Sequence, residues 1–177
     1  MHLPTPQFSR LIAVLAFDLN NPSLDSLFVA WDHIATRYLK RVRNRNEVVE
    51  RIESIRLLAI HDAVISILGR GTGFIFNERS TGTTISAALA ATAQASYDIL
   101  TSAFNSPQDL ADLGDALEES LSLISGTAEK AVGSATGTAS AAAFLKTFGP
   151  IDVTRGAFIL RENAPFPPVL DGLLRSA

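Results

Sequence analysis

The sequence predicts an all-α protein: a helical bundle of about six helices with an extended proline-rich C-terminal arm. Apolar residues recur at spacings of three and four over long segments, which is the period of an amphipathic helix. Capping residues, prolines and glycines lie at the ends of these segments. With 177 residues, 47% of them hydrophobic, one domain can bury a core. We assign residues 1–148 to the bundle and 149–177 to a docking arm of the same domain.

The first three helices are predicted at Gln7–Leu19, Leu24–Val42 and Glu47–Leu68. Ser23 and Asn46 are the expected N-caps of the second and third, since short polar side chains can accept a hydrogen bond from the first helical turn.

The first helix contains the apolar run Leu11–Phe17. This run is too short to cross a bilayer, which requires about 20 residues. A helix of the bundle is the preferred interpretation, and a signal peptide is the weaker alternative.

A loop follows the third helix and contains the glycines of Gly69–Gly73 and then Phe74–Phe76. Phe74–Phe76 is expected either as a short strand or as an extended segment that plugs the core. A dinucleotide-binding loop requires a strand before its glycines. Because a helix precedes them here, phosphate binding is not favoured.

The last three helices are predicted at Ile85–Phe104, Pro107–Ile124 and Thr127–Phe148, with Ser106 as N-cap of the fifth and Asp109 in its first turn. The sixth is rich in small residues. Its Gly133-x-x-x-Gly137 pair predicts a close helix crossing, and lining a ligand cavity is the alternative.

Composition excludes several classes of site. Without cysteine the chain has no disulfide, thiolate zinc site or cysteine nucleophile. A net charge of −3 does not favour nucleic acid or anionic membranes as partners, and a cytoplasmic location is expected. The basic run Lys40–Arg45 is interpreted as a solvated helix end, with phosphate or nucleic-acid contact as the alternative.

His33, His61 and Asp62, followed by Asp98 or Asp109, resemble in outline the ligand order of HD-type metal phosphohydrolases. Imidazole and carboxylate groups suit a divalent metal that activates water. The alternative is one exposed histidine and one packed beside the core, with no metal bound.

A second resemblance spans about residues 25–170. It rests on Val29–Asp32, Arg56–Ala63, Ala90–Leu100, Leu117–Leu121, Gly126–Gly133 and Asn163–Pro168. These stretches resemble the N-terminal helical half of bacterial vanadium-dependent haloperoxidase-like proteins, within the type-2 phosphatidic-acid phosphatase superfamily.

The anion-binding segments of that family, Lys-x6-Arg-Pro, Pro-Ser-Gly-His and Ser-Arg-x5-His, do not occur in this sequence. The resemblance therefore implies a helical subunit without a cofactor of its own. Vanadate or phosphate would be held by a partner chain, in a homo- or hetero-oligomer, so that this chain is at most part of an enzyme.

The alternative function is a small-molecule enzyme or binding protein that reuses the bundle, with the HD-type phosphohydrolase as its metal-dependent version. His61 and Asp62 would be its acid and base. Aromatic side chains would line its pocket: Phe28, Trp31, Phe74, Phe76 and Tyr97.

Overall fold

The computed structural model describes residues 23–42 and 46–149, together with Ile151 and Val153. These residues form five α-helices and contain no β-strand. In chain order the helices are α1 (Leu24–Leu39), α2 (Asn46–Leu68), α3 (Ile85–Ala103), α4 (Pro107–Ser122) and α5 (Thr127–Phe148). The all-α prediction is confirmed. The helix predicted at Gln7–Leu19 and nearly all of the arm predicted at 149–177 lie outside the described residues.

The N-caps follow the sequence in two of the three predicted cases. The hydroxyl of Ser23 accepts a hydrogen bond from the amide of Ser26 at 3.1 Å, and that of Ser106 accepts one from the amide of Asp109 at 3.2 Å. The prediction for Asn46 is wrong, because this residue is already the first of α2.

Two helices end two or three residues earlier than predicted, because the residues that follow them form a tighter turn. α1 ends at Leu39 rather than Val42, and the amide of Val42 donates to the carbonyl of Leu39, three residues back. α4 ends at Ser122 rather than Ile124, whose amide likewise donates to a carbonyl three residues back. Such bonds satisfy the last carbonyls of a helix without extending it.

The alanine-rich helix α3 lies at the centre of the bundle. It packs against all four other helices, most extensively against α5, and α2 also packs against α5. Its side chains are buried on nearly every side, from Ala87 to Ala103. A helix surrounded in this way needs apolar residues all round, and small ones let several neighbours approach. None of the described helices is long and apolar enough to cross a membrane.

The predicted close crossing at Gly133 and Gly137 is confirmed, and it lies between α5 and α3. A Cβ atom added at Gly133 would lie 2.1 Å from the carbonyl oxygen of Ala87, and one at Gly137 would lie 2.6 Å from that of Ala91. Neither position can accept a side chain without moving α3 and α5 apart. The glycines are therefore used for packing within the chain and not for lining a cavity.

Candidate functional site

Asp62 anchors the loop between α2 and α3. Its side chain is fully buried on α2, where its two oxygens accept hydrogen bonds from the amides of Phe74 (2.9 Å), Ile75 (2.8 Å) and Phe76 (2.9 Å). A buried carboxylate requires such donors. A Cβ atom at Gly73 would collide with both the carbonyl of Phe76 and the Asp62 carboxyl. The glycine-rich loop thus wraps around a carboxylate of its own chain.

The loop is extended and adds an apolar layer to the bundle. Phe76 is buried and Ile75 packs against the core, so the segment that plugs the core is the alternative that the structure supports. Ser66 of α2 further holds the loop, since its hydroxyl donates to the carbonyl of Glu78 and its own carbonyl accepts from Ser80.

His61 lies on the solvent side of Asp62. Its side chain is 43% exposed, and its Nδ1 lies 3.0 Å from Oδ1 of Asp62. The ring also contacts that of Phe74, with centroids 5.1 Å apart. When Nδ1 carries the proton and donates it to Asp62, Nε2 is a free proton acceptor. The expectation that one histidine packs beside the core is wrong, because His33 is exposed as well.

A cleft of about 210 Å³ opens next to His61, between α1 and α2, with Thr92 of α3 among its lining residues. Its wall is mainly apolar. The residues that line it are Leu24, Asp25, Phe28, Ile60, His61, Val64, Ile65 and Thr92. The hydroxyl of Thr92 donates to the carbonyl of Ala88, so it is already used within α3.

The five aromatic residues predicted to line one pocket are not brought together in this cleft. Phe28 alone among them lines it. Trp31 is fully buried in the core, as is most of Phe76. Phe74 is 37% exposed beside the histidine ring, and Tyr97 is half-buried against the core.

The residues proposed for an HD-type site are also dispersed. No three histidine, aspartate or glutamate side chains within 23–42 and 46–149 come close enough to hold one metal ion. Asp98 accepts a hydrogen bond from Gln94 on α3 at 3.0 Å, and burial raises the pKa of its carboxyl group. Asp109 lies in the first turn of α4, where it is paired with Arg41, which follows the end of α1.

The described part of the basic run connects two helices. Arg41 binds Asp109 through two hydrogen bonds of 2.6 and 3.1 Å, and its guanidinium lies over the rings of Tyr38 and Phe104. The pair lowers the pKa of the Asp109 carboxyl, chiefly through the hydrogen bond from Arg41. Lys40 is exposed as expected of a solvated helix end, whereas Arg41 ties α1 to the start of α4.

Sequence reasoning missed an ion-pair network around a buried arginine next to the cleft. Arg56 of α2 is fully buried and donates to Asp32 of α1 at 2.9 Å and to both carboxyl oxygens of Glu53. Its guanidinium lies 5.9 Å from the ring of Phe28, so Phe28 separates the network from the cleft. The sequence contained a signal for the burial of Arg56, because this residue follows Ile52 by four positions and so lies on the apolar stripe of α2.

Comparisons with protein-family models, with curated proteins and with solved structures found no match for this chain.

Proposed function

We propose that this chain is a helical module of a haloperoxidase- or phosphatase-like assembly and that it binds a partner chain carrying the vanadate or phosphate site. The observation that carries the proposal is a face of α5 covered by alanine and exposed to solvent. Its members are Ala128, Ala131, Ala135, Ala139 and Ala142. The sequence resemblance supplies the chemical class of the assembly.

The alanine face, named here for these five residues, suits a second helix. The residues follow spacings of three and four, so they form one stripe, which extends about 21 Å along the helix axis at 1.5 Å per residue. The opposite side of α5 is already buried against the bundle. Small side chains without long polar ends let another backbone approach closely and lose little rotamer entropy on binding.

The buried and half-buried charges of the described chain support the same proposal. Asp62 accepts hydrogen bonds from backbone amides, Arg56 is paired with two carboxylates and Arg41 is paired with Asp109. An oxyanion site needs cations and amide donors that converge on an open position. In this interpretation such groups come from the partner.

The test is co-expression with a chain from a neighbouring reading frame that contains the Lys-x6-Arg-Pro and Pro-Ser-Gly-His segments. We expect one complex by size-exclusion chromatography with mass measurement. Vanadate-dependent halide oxidation or phosphate-ester hydrolysis should require both chains. Ala135→Glu should weaken the complex at least ten-fold, because it buries a charge at the centre of the alanine face.

Ala111→Glu is the matched control, since Ala111 is exposed on α4 and receives the same charge. Equal effects of the two variants, or two chains that elute separately at micromolar concentration, would contradict the proposal.

The second candidate function is a small-molecule enzyme or binding protein, and the position of His61 favours it. An imidazole held by a buried carboxylate at the edge of an apolar cleft can act as a general base or acid. Hydrolysis of aryl esters and aryl phosphates by His61→Gln and His33→Gln, with and without added Mn²⁺, tests it. A metal-free site should lose activity only in His61→Gln, whereas an HD-type site should lose it in both and require the metal. Wild-type protein that hydrolyses none of these substrates would count against this candidate.

A further inference from the structure

We propose that the cleft between α1 and α2 binds a small arylalkylamine, whose ring lies between the two helices and whose ammonium group meets Asp25 and His61. This site rests on the second candidate function, to which it adds the chemical class of the ligand. It needs neither the alanine face nor a partner chain. The shape of the cleft, its hydrogen-bonding groups and its charges each favour such a ligand.

The walls of the cleft form a slot that suits one flat ring. Leu24 and Phe28 lie one turn apart on α1, Ile60 and Val64 lie one turn apart on α2, and all four line the cleft. α1 packs on α3 and makes few direct contacts with α2, so the slot stays open. An apolar cavity of about 150 Å³ holds one benzene molecule. A cleft of about 210 Å³ therefore has room for one ring with a short side chain.

The polar side chains that line the cleft accept hydrogen bonds from a ligand rather than donate them. Thr92 already donates its hydroxyl proton to the carbonyl of Ala88. The buried carboxylate of Asp62 lies 3.0 Å from Nδ1 of His61, so the neutral ring carries its proton on Nδ1 and leaves Nε2 as an acceptor. The carboxylate of Asp25 has acceptors only. A ligand that satisfies both acceptors brings N–H or O–H donors.

The charges at the cleft favour a cation over a neutral donor. Asp25 is exposed in the first turn of α1 and lines the cleft. Behind Phe28, Arg56 is paired with two carboxylates, which leaves that network one negative charge in excess. The amides at a helix N-terminus attract anions, but the carboxylate of Asp25 opposes a second negative charge at this one. An ammonium group therefore matches the cleft better than a hydroxyl or a carboxylate.

Isothermal titration calorimetry of the full chain at pH 8 tests the site with 2-phenylethylamine. An alkylammonium group keeps its proton at this pH, because its pKa is about 10. We expect one saturable site with a dissociation constant below about 1 mM. Two ligands of similar size are the controls. Neutral 2-phenylethanol should bind about three-fold more weakly, because it lacks the charge, and anionic phenylacetate about ten-fold more weakly, because its charge is repelled.

Two substitutions separate the contribution of charge from that of hydrogen bonding. Asp25→Asn should weaken amine binding about two- to five-fold, as expected for an exposed ion pair, and leave alcohol binding unchanged. Asp115→Asn, exposed on α4, which does not line the cleft, is the matched control and should change neither. His61→Phe keeps a ring beside Phe74 but removes Nε2, so it should weaken binding of both ligands. Circular dichroism checks the fold of each variant.

Nuclear Overhauser effects locate the bound amine independently of the affinities. Its ring protons should show them to the methyl groups of Ile60 and Val64, which line the cleft. The methyl group of Ala139, exposed on α5, is the control and should show none. A saturable site with contacts only outside the cleft would overturn the proposal.

The affinities can overturn the proposal as well. Absence of saturable amine binding would do so, and so would equal effects of Asp25→Asn and Asp115→Asn. Binding of the alcohol or of phenylacetate at least as tight as that of the amine would reject the ligand class and still support a small-molecule site. Failure to hydrolyse the aryl substrates or to bind a partner chain has no bearing on amine binding, so these failures are distinct.

Discussion

Replacing Asp62 by asparagine should destabilise the protein by roughly 3 kcal/mol. A hydrogen bond to a charged acceptor contributes about 1.5–3 kcal/mol, and a neutral one about 1 kcal/mol. An asparagine that keeps its carbonyl oxygen at the place of Oδ2 retains weaker bonds from Ile75 and Phe76. Its NH₂ group then meets the amide of Phe74, which loses its acceptor. One lost bond and two weakened ones give the expected value.

Urea unfolding followed by circular dichroism measures this loss. Limited trypsin digestion reports on the loop, since Arg70 and Arg79 are exposed within it and should be cut faster. His61→Gln is the control and should cost under about 1 kcal/mol, because the ring is 43% exposed. A loss below 1 kcal/mol for Asp62→Asn, with loop amides 74–76 exchanging hydrogen at the wild-type rate, would refute the reasoning.

Three further predictions concern packing and titration. Gly133→Ala should lower the stability by about 2 kcal/mol through overpacking. Gly114 has open space around it, so Gly114→Ala should raise the stability by about 0.5–1 kcal/mol. Thermal unfolding compares the two variants. Because burial raises the pKa of Asp98, its contribution to stability is present at low pH and is lost as pH rises. Asp98→Asn should therefore raise Tm at pH 7 and not at pH 3. Burial raises the pKa of Tyr38 to about 12, so stability should fall between pH 10 and 12 in wild type but less in Tyr38→Phe, as ultraviolet titration can follow.

The helices were predictable because their signals are local. Ser23 and Ser106 cap helices through neighbours three residues away, and the Gly133 and Gly137 pair marked a crossing. The ends of α1 and α4 were less predictable. After Leu39 and Ser122 the chain changes from α-helical to tighter turns, and that choice depends on packing against the bundle rather than on residue type.

The candidate site depends on contacts between distant parts of the chain, which spacing cannot reveal. The pair of His61 and Asp62 stood out in the sequence as chemistry, yet the aspartate binds amides 12 to 14 residues further on. Arg56 meets Asp32, which lies 24 residues away on another helix. Nothing in the local pattern distinguishes a carboxylate that will hold a loop from one that will hold a metal.

The central position of α3 has a consequence for how the molecule unfolds. Each of the other four helices packs on α3, and α2 and α5 also pack on each other, so the helices are joined to one another around α3. Removing any one of them uncovers alanine surface that belongs to the middle of the molecule, and the remaining helices lose a common support. The bundle should therefore open as a single cooperative step, and fragments divided between α2 and α3 should be unfolded alone yet able to reassemble when mixed.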